Sequence, residues 1–214
     1  MKILYRSLLV FGFLITGILY AQSDKKAEEL LENVVNKTAS YENLKAELAY
    51  TMVNREMEID EKKSGIIYLK GDSYRIEMEG QIIISDGITI WTFIVDSDEV
   101  MVSNVEEGDE SISPNKILTT YNEDYKAKFD SDNKYKNSDL KLINLKPNEG
   151  NQFERISLLV NEKNLSLENF SVYDKSGNVF TYHIINLQPN IDLPDTTFTF
   201  NPDDYPDVDV IDMR

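Results

Sequence analysis

The 214-residue sequence contains no cysteine, one histidine and one tryptophan, and it sets only 22 lysines and arginines against 38 acidic residues. Each scarcity excludes something. Without cysteine there is no disulfide, no thiolate metal site, no cysteine nucleophile and no lipid-modified N-terminal cysteine. One histidine excludes multi-histidine metal sites and leaves little for imidazole catalysis. A formal charge of −16 offers no surplus to neutralise phosphates, which argues against nucleic acid as a partner. Glycine and proline are sparse and gather into no linker, and there is no repeat or low-complexity tract. What is present suits a globular chain: 41% hydrophobic and 28% charged, with enough length to bury a core without staples.

The first 21 residues read as a targeting segment. Lys2 and Arg6 form a positive start, and Leu8 to Leu19 is an apolar run. It is shorter than the ~20 residues that a membrane-spanning helix needs. Small Ala21 stands at the polar edge that follows. The pattern predicts a cleaved secretory signal peptide over 1–21, with a membrane anchor as the alternative. Removing it leaves 20 basic against 38 acidic residues, a charge of −18. Residues 22–214 are expected to be one exported, soluble domain.

That domain reads as one helix followed mostly by strands. Ser23 caps a predicted helix from Asp24 to Ala39. Ala27, Leu30, Leu31, Val34, Val35 and Thr38 recur along it with helical spacing and give one apolar face. From Leu44 the period becomes two, through Ala46, Leu48, Tyr50 and Met52, as in a half-buried strand. Further strands are expected at Gly65–Lys70, Ser73–Glu79, Gln81–Ser85, Ile88–Val95, Glu99–Asn104, Tyr125–Asp130, Leu140–Lys146, Phe153–Val160, Leu167–Tyr173 and Val179–Leu187. Ser113-Pro114 opens a second, short helix bearing Ile117, Leu118 and Tyr121. The fold class is mainly β: an antiparallel sheet of about ten or eleven strands with two or three helices.

Turn chemistry fixes an expected register. A two-residue Asp86-Gly87 turn pairs positions whose numbers add to 173, setting Ile83 against Ile90 and Ile82 against Trp91. A Glu79-Gly80 turn sets Ile76 against Ile83 and Tyr74 against Ser85. Paired residues share a face. One face then carries Tyr74, Ile76, Met78, Ile83, Ile88 and Ile90. The other carries Arg75, Glu77, Ile82, Ile84, Trp91 and Phe93, a mixture whose aromatic mass still needs cover. The two helices are the available covers for the apolar face. Either they fill it, which pattern alone favours, or they leave a cavity for an apolar ligand.

Signals for catalysis are weak, and no enzyme is expected. Carboxylate pairs such as Asp203/Asp204 arise by chance in so acidic a chain. Asp130-Ser131-Asp132-Asn133 lacks the glycine and distal glutamate of a calcium loop. His183 lies in a predicted strand. Ser85 has no nucleophile-elbow glycines around it. Asn36, Asn164 and Asn169 begin glycosylation-type triplets that matter only in a eukaryotic secretory route.

The stretch Gly65-Ile-Ile-Tyr-Leu-Lys70-Gly-Asp-Ser-Tyr74-Arg-Ile76-Glu-Met78, with Ile84-Ser85-Asp86-Gly87-Ile-Thr89-Ile-Trp91, resembles the LolA-type periplasmic lipoprotein carrier family. So does the ending Phe198-Thr-Phe200-Asn-Pro202 with Val208-Asp-Val210-Ile-Asp212. The resemblance spans nearly all of residues 22–214. It implies an incompletely closed antiparallel barrel with a helical lid over an apolar cavity. It also implies a monomeric periplasmic chaperone without cofactor or metal. Its partners would be acylated lipoproteins, an inner-membrane lipoprotein-releasing ABC transporter and an outer-membrane acceptor. The expected cavity residues are Leu48, Tyr50, Tyr74, Ile76, Met78, Ile83, Ile88 and Ile90. The expected lid residues are Leu30, Leu31 and Val34 with Ile117, Leu118 and Tyr121. Where the family carries an Arg-Pro pair that holds the lid, this chain has Lys70-Gly71, so Lys70 is the candidate lid contact. The tail has two extra residues between Pro202 and Val208. The alternatives are a lipid-binding or sensing module without transport, and a secreted interaction domain with a filled core.

Overall fold

A computed structural model describes residues 24–105, 125–131, 133–135, 137–147 and 153–214. The proposed signal peptide lies outside the described residues. So does the second helix, with Ile117, Leu118 and Tyr121. Helix α1 (24–39) forms where the apolar spacing predicts it. Twelve strands follow: β1 (Leu44–Asn54), β2 (Ile59–Lys70), β3 (Ser73–Met78), β4 (Gln81–Ser85), β5 (Thr89–Ile94), β6 (Glu99–Asn104), β7 (Tyr125–Phe129), β8 (Leu140–Pro147), β9 (Phe153–Asn161), β10 (Ser166–Asp174), β11 (Val179–Pro189) and β12 (Asp209–Asp212). They form one sheet in the order β12-β6-β5-β4-β3-β2-β1-β11-β10-β9-β8-β7. The end strands do not pair with each other, so the sheet is open rather than closed.

Neighbours are antiparallel apart from β12, which lies parallel to β6. This terminal strand was not expected from its alternating acidic residues. The first half of β2, Ile59–Ser64, was missed for a similar reason: it is mostly charged and exposed, so it carries no apolar alternation. It forms because it lies opposite Ala49–Asn54 of β1.

The β3–β4 register agrees with expectation: Ile76 faces Ile83 and Tyr74 faces Ser85. The β4–β5 register does not. Ser85 faces Ile90, Ile84 faces Trp91 and Ile83 faces Thr92, two residues away from the predicted pairing. The central turn residues are Gly87-Ile88, not Asp86-Gly87. Gly87 supplies a φ of +91°, and a two-residue turn with one positive φ puts that glycine first. Asp86 precedes the turn, and its carboxylate accepts the amides of Ile88 (2.9 Å) and Thr89 (2.7 Å). A slip of two residues preserves the faces, so the division into an apolar and a mixed face survives. It nevertheless moves Ile88 out of the strand.

Both faces are covered, by different parts of the chain. The apolar face receives α1, whose Ala27, Leu31 and Val34 pack with Ile143, Leu145, Ile156, Leu158, Phe170 and Val172 of β8, β9 and β10. The mixed face of β4–β6 receives the segment after β11. There Phe200, Tyr205 and Val208 pack against Phe93, Val100 and Val102 beside Ile82 and Trp91. Tyr205 meets Phe93 edge-on at 5.0 Å and stacks on Phe200 at 5.2 Å. Aromatic residues 198–205 thus form a clasp over the aromatic mass that lacked a cover in the sequence pattern.

Candidate functional site: an apolar cavity over the β1–β4 half of the sheet

The apolar face continues across the sheet beyond the area under α1. Leu44, Ala46 and Leu48 of β1 alternate inward. They lie opposite Leu69, Ile67 and Gly65 of β2, which in turn lie opposite Tyr74, Ile76 and Met78 of β3. The same alternation on β11 brings Leu187, Ile184 and Tyr182 to this side. Beyond Val34, Thr38 and Tyr41, at the end of α1 and in its following turn, are the described residues of this segment that reach this half. A cavity of about 340 Å³ results, within the range of small-molecule sites. Its floor includes Leu48, Ile67, Ile76 and Ile83, and its far side is formed by Leu165–Glu168, Phe170 and Tyr182.

Gly65 belongs to this floor for a steric reason. A Cβ there would come within 2.8 Å of the Glu77 carbonyl oxygen and of Met78 Cγ. Glycine at this position leaves room for the Glu77 carbonyl and the Met78 side chain to lie against β2. The end wall is an aromatic ladder across three strands. Tyr50 and Tyr182 lie 5.1 Å apart, and Tyr182 stacks on Phe170 at 4.5 Å. Burial, and to a lesser extent the neighbouring Tyr50, pushes the Tyr182 phenol up to about 12. Burial also raises Tyr50, with Glu61 adding repulsion. Both phenols therefore stay neutral at physiological pH, which suits an apolar wall. Among the described residues no cluster of His, Asp or Glu could hold a metal. No described helix is long and apolar enough to cross a membrane.

A family model described as outer membrane lipoprotein carrier protein LolA matches residues 39–201. The chain belongs to the LolA family. An outer-membrane lipoprotein carrier protein of Legionella pneumophila (strain Lens) is 31% identical over 126 residues. That match covers 57% of this chain and 59% of the Legionella protein, so the chain spans about three fifths of that relative's length. A protein of the same name from Coxiella burnetii (strain RSA 331 / Henzerling II) is 26% identical over 208 residues, covering 94% of each chain. An uncharacterised conserved protein from Thermus thermophilus shares the fold with a TM-score of 0.57 at 12% identity, over 87% of this chain and 99% of that one.

Within this LolA-family sheet, the sequence-predicted residues divide. Leu48, Tyr50, Ile76, Met78 and Ile83 line the cavity. Tyr74 is buried in the adjoining cluster with Leu69 and Ile67, outside the lining. Ile90 sits half-buried on β5 opposite Ser85. Ile88 is 73% exposed in its turn, as the shifted register requires. Leu31 and Val34 are fully buried on the inner face of α1 and Leu30 partly so. They roof the β8–β10 half beside the cavity. Lys70 donates to Asp195 at 2.6 Å, tying β2 to the one-turn helix at Asp195–Phe198 that starts the clasp. Ser85 is buried, and its hydroxyl accepts the Gly87 amide at 3.1 Å, a turn-closing role. His183 is exposed on β11.

Sequence reasoning missed the β10–β11 side of the cavity: Leu165–Glu168, Phe170, Tyr182, Ile184 and Leu187. The alternation of Tyr182 and Ile184 was a usable signal. It stops at Ile185, where an extra residue interrupts the pleat.

Proposed function

We propose that this chain is a periplasmic carrier that shelters the acyl chains of lipoproteins in the cavity over β1–β4 and ferries them from the inner to the outer membrane. An inner-membrane lipoprotein-releasing ABC transporter would load it, and an outer-membrane acceptor would unload it. Residues 1–21 would direct its export and then be removed. The observation that carries the reading is an apolar cavity on the inner face of a LolA-family sheet. A C16 chain gains about 12 kcal/mol on leaving water, so an anchored lipoprotein cannot cross an aqueous gap unaided. The carrier-protein names of the relatives and the unbroken apolar floor support the same assignment. Strong negative charge supports it further, because it keeps the protein from adhering to anionic membrane surfaces between deliveries.

Mass spectrometry of the protein purified from its native compartment tests the reading. Co-purified acylated lipoprotein is the expected result. Recovery of free lipid alone would replace carriage with a lipid-binding or sensing role. Absence of any apolar occupant, together with no binding of added acyl chains, would overturn the reading.

A further inference from the structure

The sheet parts where the cavity reaches its far side. β10 and β11 pair only from Asn169–His183 to Tyr173–Val179. Beyond that point β11 continues beside β1, from Leu48–Ile184 to Leu44–Pro189. β10 instead stays with β9, through Leu167–Val160 and Ser166–Asn161. Each strand is held by a different neighbour, and a seam opens between them.

Both strands carry an extra residue at this place. The β10–β9 register skips Glu168, and the β11–β1 register skips Ile185. A bulge bends its strand and re-aims the side chain it carries. Here both extra residues line the cavity from opposite sides of the seam. Ile185 nevertheless keeps 65% of its surface exposed. An isoleucine that borders an apolar cavity and also faces solvent marks an opening.

The chemistry at this opening is one-sided. Glu168 is the single charged residue among those described in the lining. Its carboxylate accepts a hydrogen bond from the Ser166 hydroxyl at 2.7 Å, a neutral partner, and among the described residues no cation pairs with it. A carboxylate at the edge of apolar surface, where the effective dielectric falls, favours a cation beside it.

We propose that the seam between β10 and β11 is the mouth through which an acyl chain enters the cavity, and that Glu168 holds an ammonium group at that chain's polar end. This proposal rests on the acyl-carrier reading and specifies its entrance and headgroup preference.

The test uses the full chain and two amphiphiles of equal tail, dodecylammonium and dodecanoate, titrated calorimetrically at pH 7 below their micelle concentrations. Dodecylammonium is expected to bind more tightly. Glu168→Gln is expected to shrink the ratio of the two affinities about fivefold, the scale of one partly exposed ion pair, with dodecanoate binding undiminished. Because the chain has no cysteine, Ile185→Cys takes an environment-sensitive fluorophore at a single site. Its emission is expected to shift when either amphiphile binds, whereas the same label at Met57→Cys, in the β1–β2 turn, stays silent. If both amphiphiles bind but Glu168→Gln leaves their ratio unchanged, or the label at 185 does not respond, the proposal is overturned while the carrier reading stands. If neither amphiphile binds, both fall.

Discussion

Replacing Ile76 with phenylalanine separates a hollow interior from a filled one, because the two give opposite signs. Ile76 is half-buried in the middle of the cavity floor, opposite Ile67 and Ile83. Phenylalanine adds three carbon atoms. In a cavity of about 340 Å³ the ring has room, and each carbon removed from water contributes at most ~0.8 kcal/mol. After the cost of fixing the side chain, the ligand-free protein should gain about 1–2 kcal/mol. For a chain of this size that is a rise of about 2–8 °C in Tm. The same atoms occupy space that a ligand tail would use. Losing room for three methylenes costs an acyl ligand about 2.4 kcal/mol, or about fifty-fold in affinity. Chemical denaturation followed by Trp91, which lies on the opposite face, reads stability without touching the cavity. Titration with fatty acids of ten to sixteen carbons reads affinity and should show the preferred length shifting shorter. In a close-packed interior the same substitution is overpacking and costs about 1–3 kcal/mol. A destabilised variant with an unchanged chain-length profile would refute the hollow.

The clasp and the wall give further expectations. Tyr205→Ala, which removes contacts with Phe93 and Phe200, should cost about 2 kcal/mol in denaturant unfolding, because Tyr205 is only half-buried; acyl binding on the other face should be unaffected. Lys70→Ala should change stability by less than about 1 kcal/mol, since its pair with Asp195 is largely exposed; thermal unfolding checks this. Tyr182 ionises at about 12 when folded, above the ordinary 10.0 of the unfolded phenol. Its contribution to stability is therefore fully present below pH 10 and is lost as pH rises from 10 through 12. Tyrosinate absorbance and unfolding measured across that window should show the loss, and Tyr182→Phe should flatten it.

The sequence made the strands legible wherever alternation ran unbroken. Leu44 to Met52, Ser73 to Met78 and the Glu79-Gly80 turn emerge with their faces correctly paired because one side chain type repeats every second residue. Reading failed where tertiary pairing, not local pattern, makes the strand. Ile59–Ser64 extends β2 although it is mostly charged, and β12 forms as a parallel edge on β6. The Asp86-Gly87 pair misled because the same dipeptide serves two turns. Asp86 caps the turn from outside it with its carboxylate, and only Gly87 takes positive φ. Half of the cavity was legible for the same reason as the strands. The β10–β11 half was hidden by bulges at Glu168 and Ile185, which put consecutive residues on one side and break the period of two. The clasp was visible as aromatic residues near the C-terminus, yet nothing local says which face Phe200 and Tyr205 will cover.

A hollow of this size carries a cost that the rest of the fold must offset. Apolar side chains that face a cavity make fewer contacts than side chains packed on all sides, and so contribute less to stability. The offset is supplied away from the cavity. Leu31, Val34, Ile143, Leu145, Ile156 and Leu158 are almost completely buried between α1 and the sheet, and Val100 and Val102 lie under the clasp. Most of this buried surface lies outside the cavity lining, although Leu167, Phe170, Tyr182 and Ile184 belong both to the α1 core and to the lining. It follows that occupying the cavity should compensate for damage elsewhere. Leu31→Ala, which opens the packed half, should cost about 2–5 kcal/mol in the ligand-free protein. A saturating acyl ligand at one hundred times its Kd should restore about 2.7 kcal/mol, seen as recovery of about 5–11 °C in Tm. The ligand should stabilise the parent protein by a similar free energy, because Leu31 itself does not line the cavity, although Phe170, Tyr182 and Ile184 belong to both the α1 core and the lining. A ligand that raised the Tm of the parent but not of the Leu31→Ala protein would refute this compensation and show that binding depends on the packing under α1, through the residues that core and cavity share.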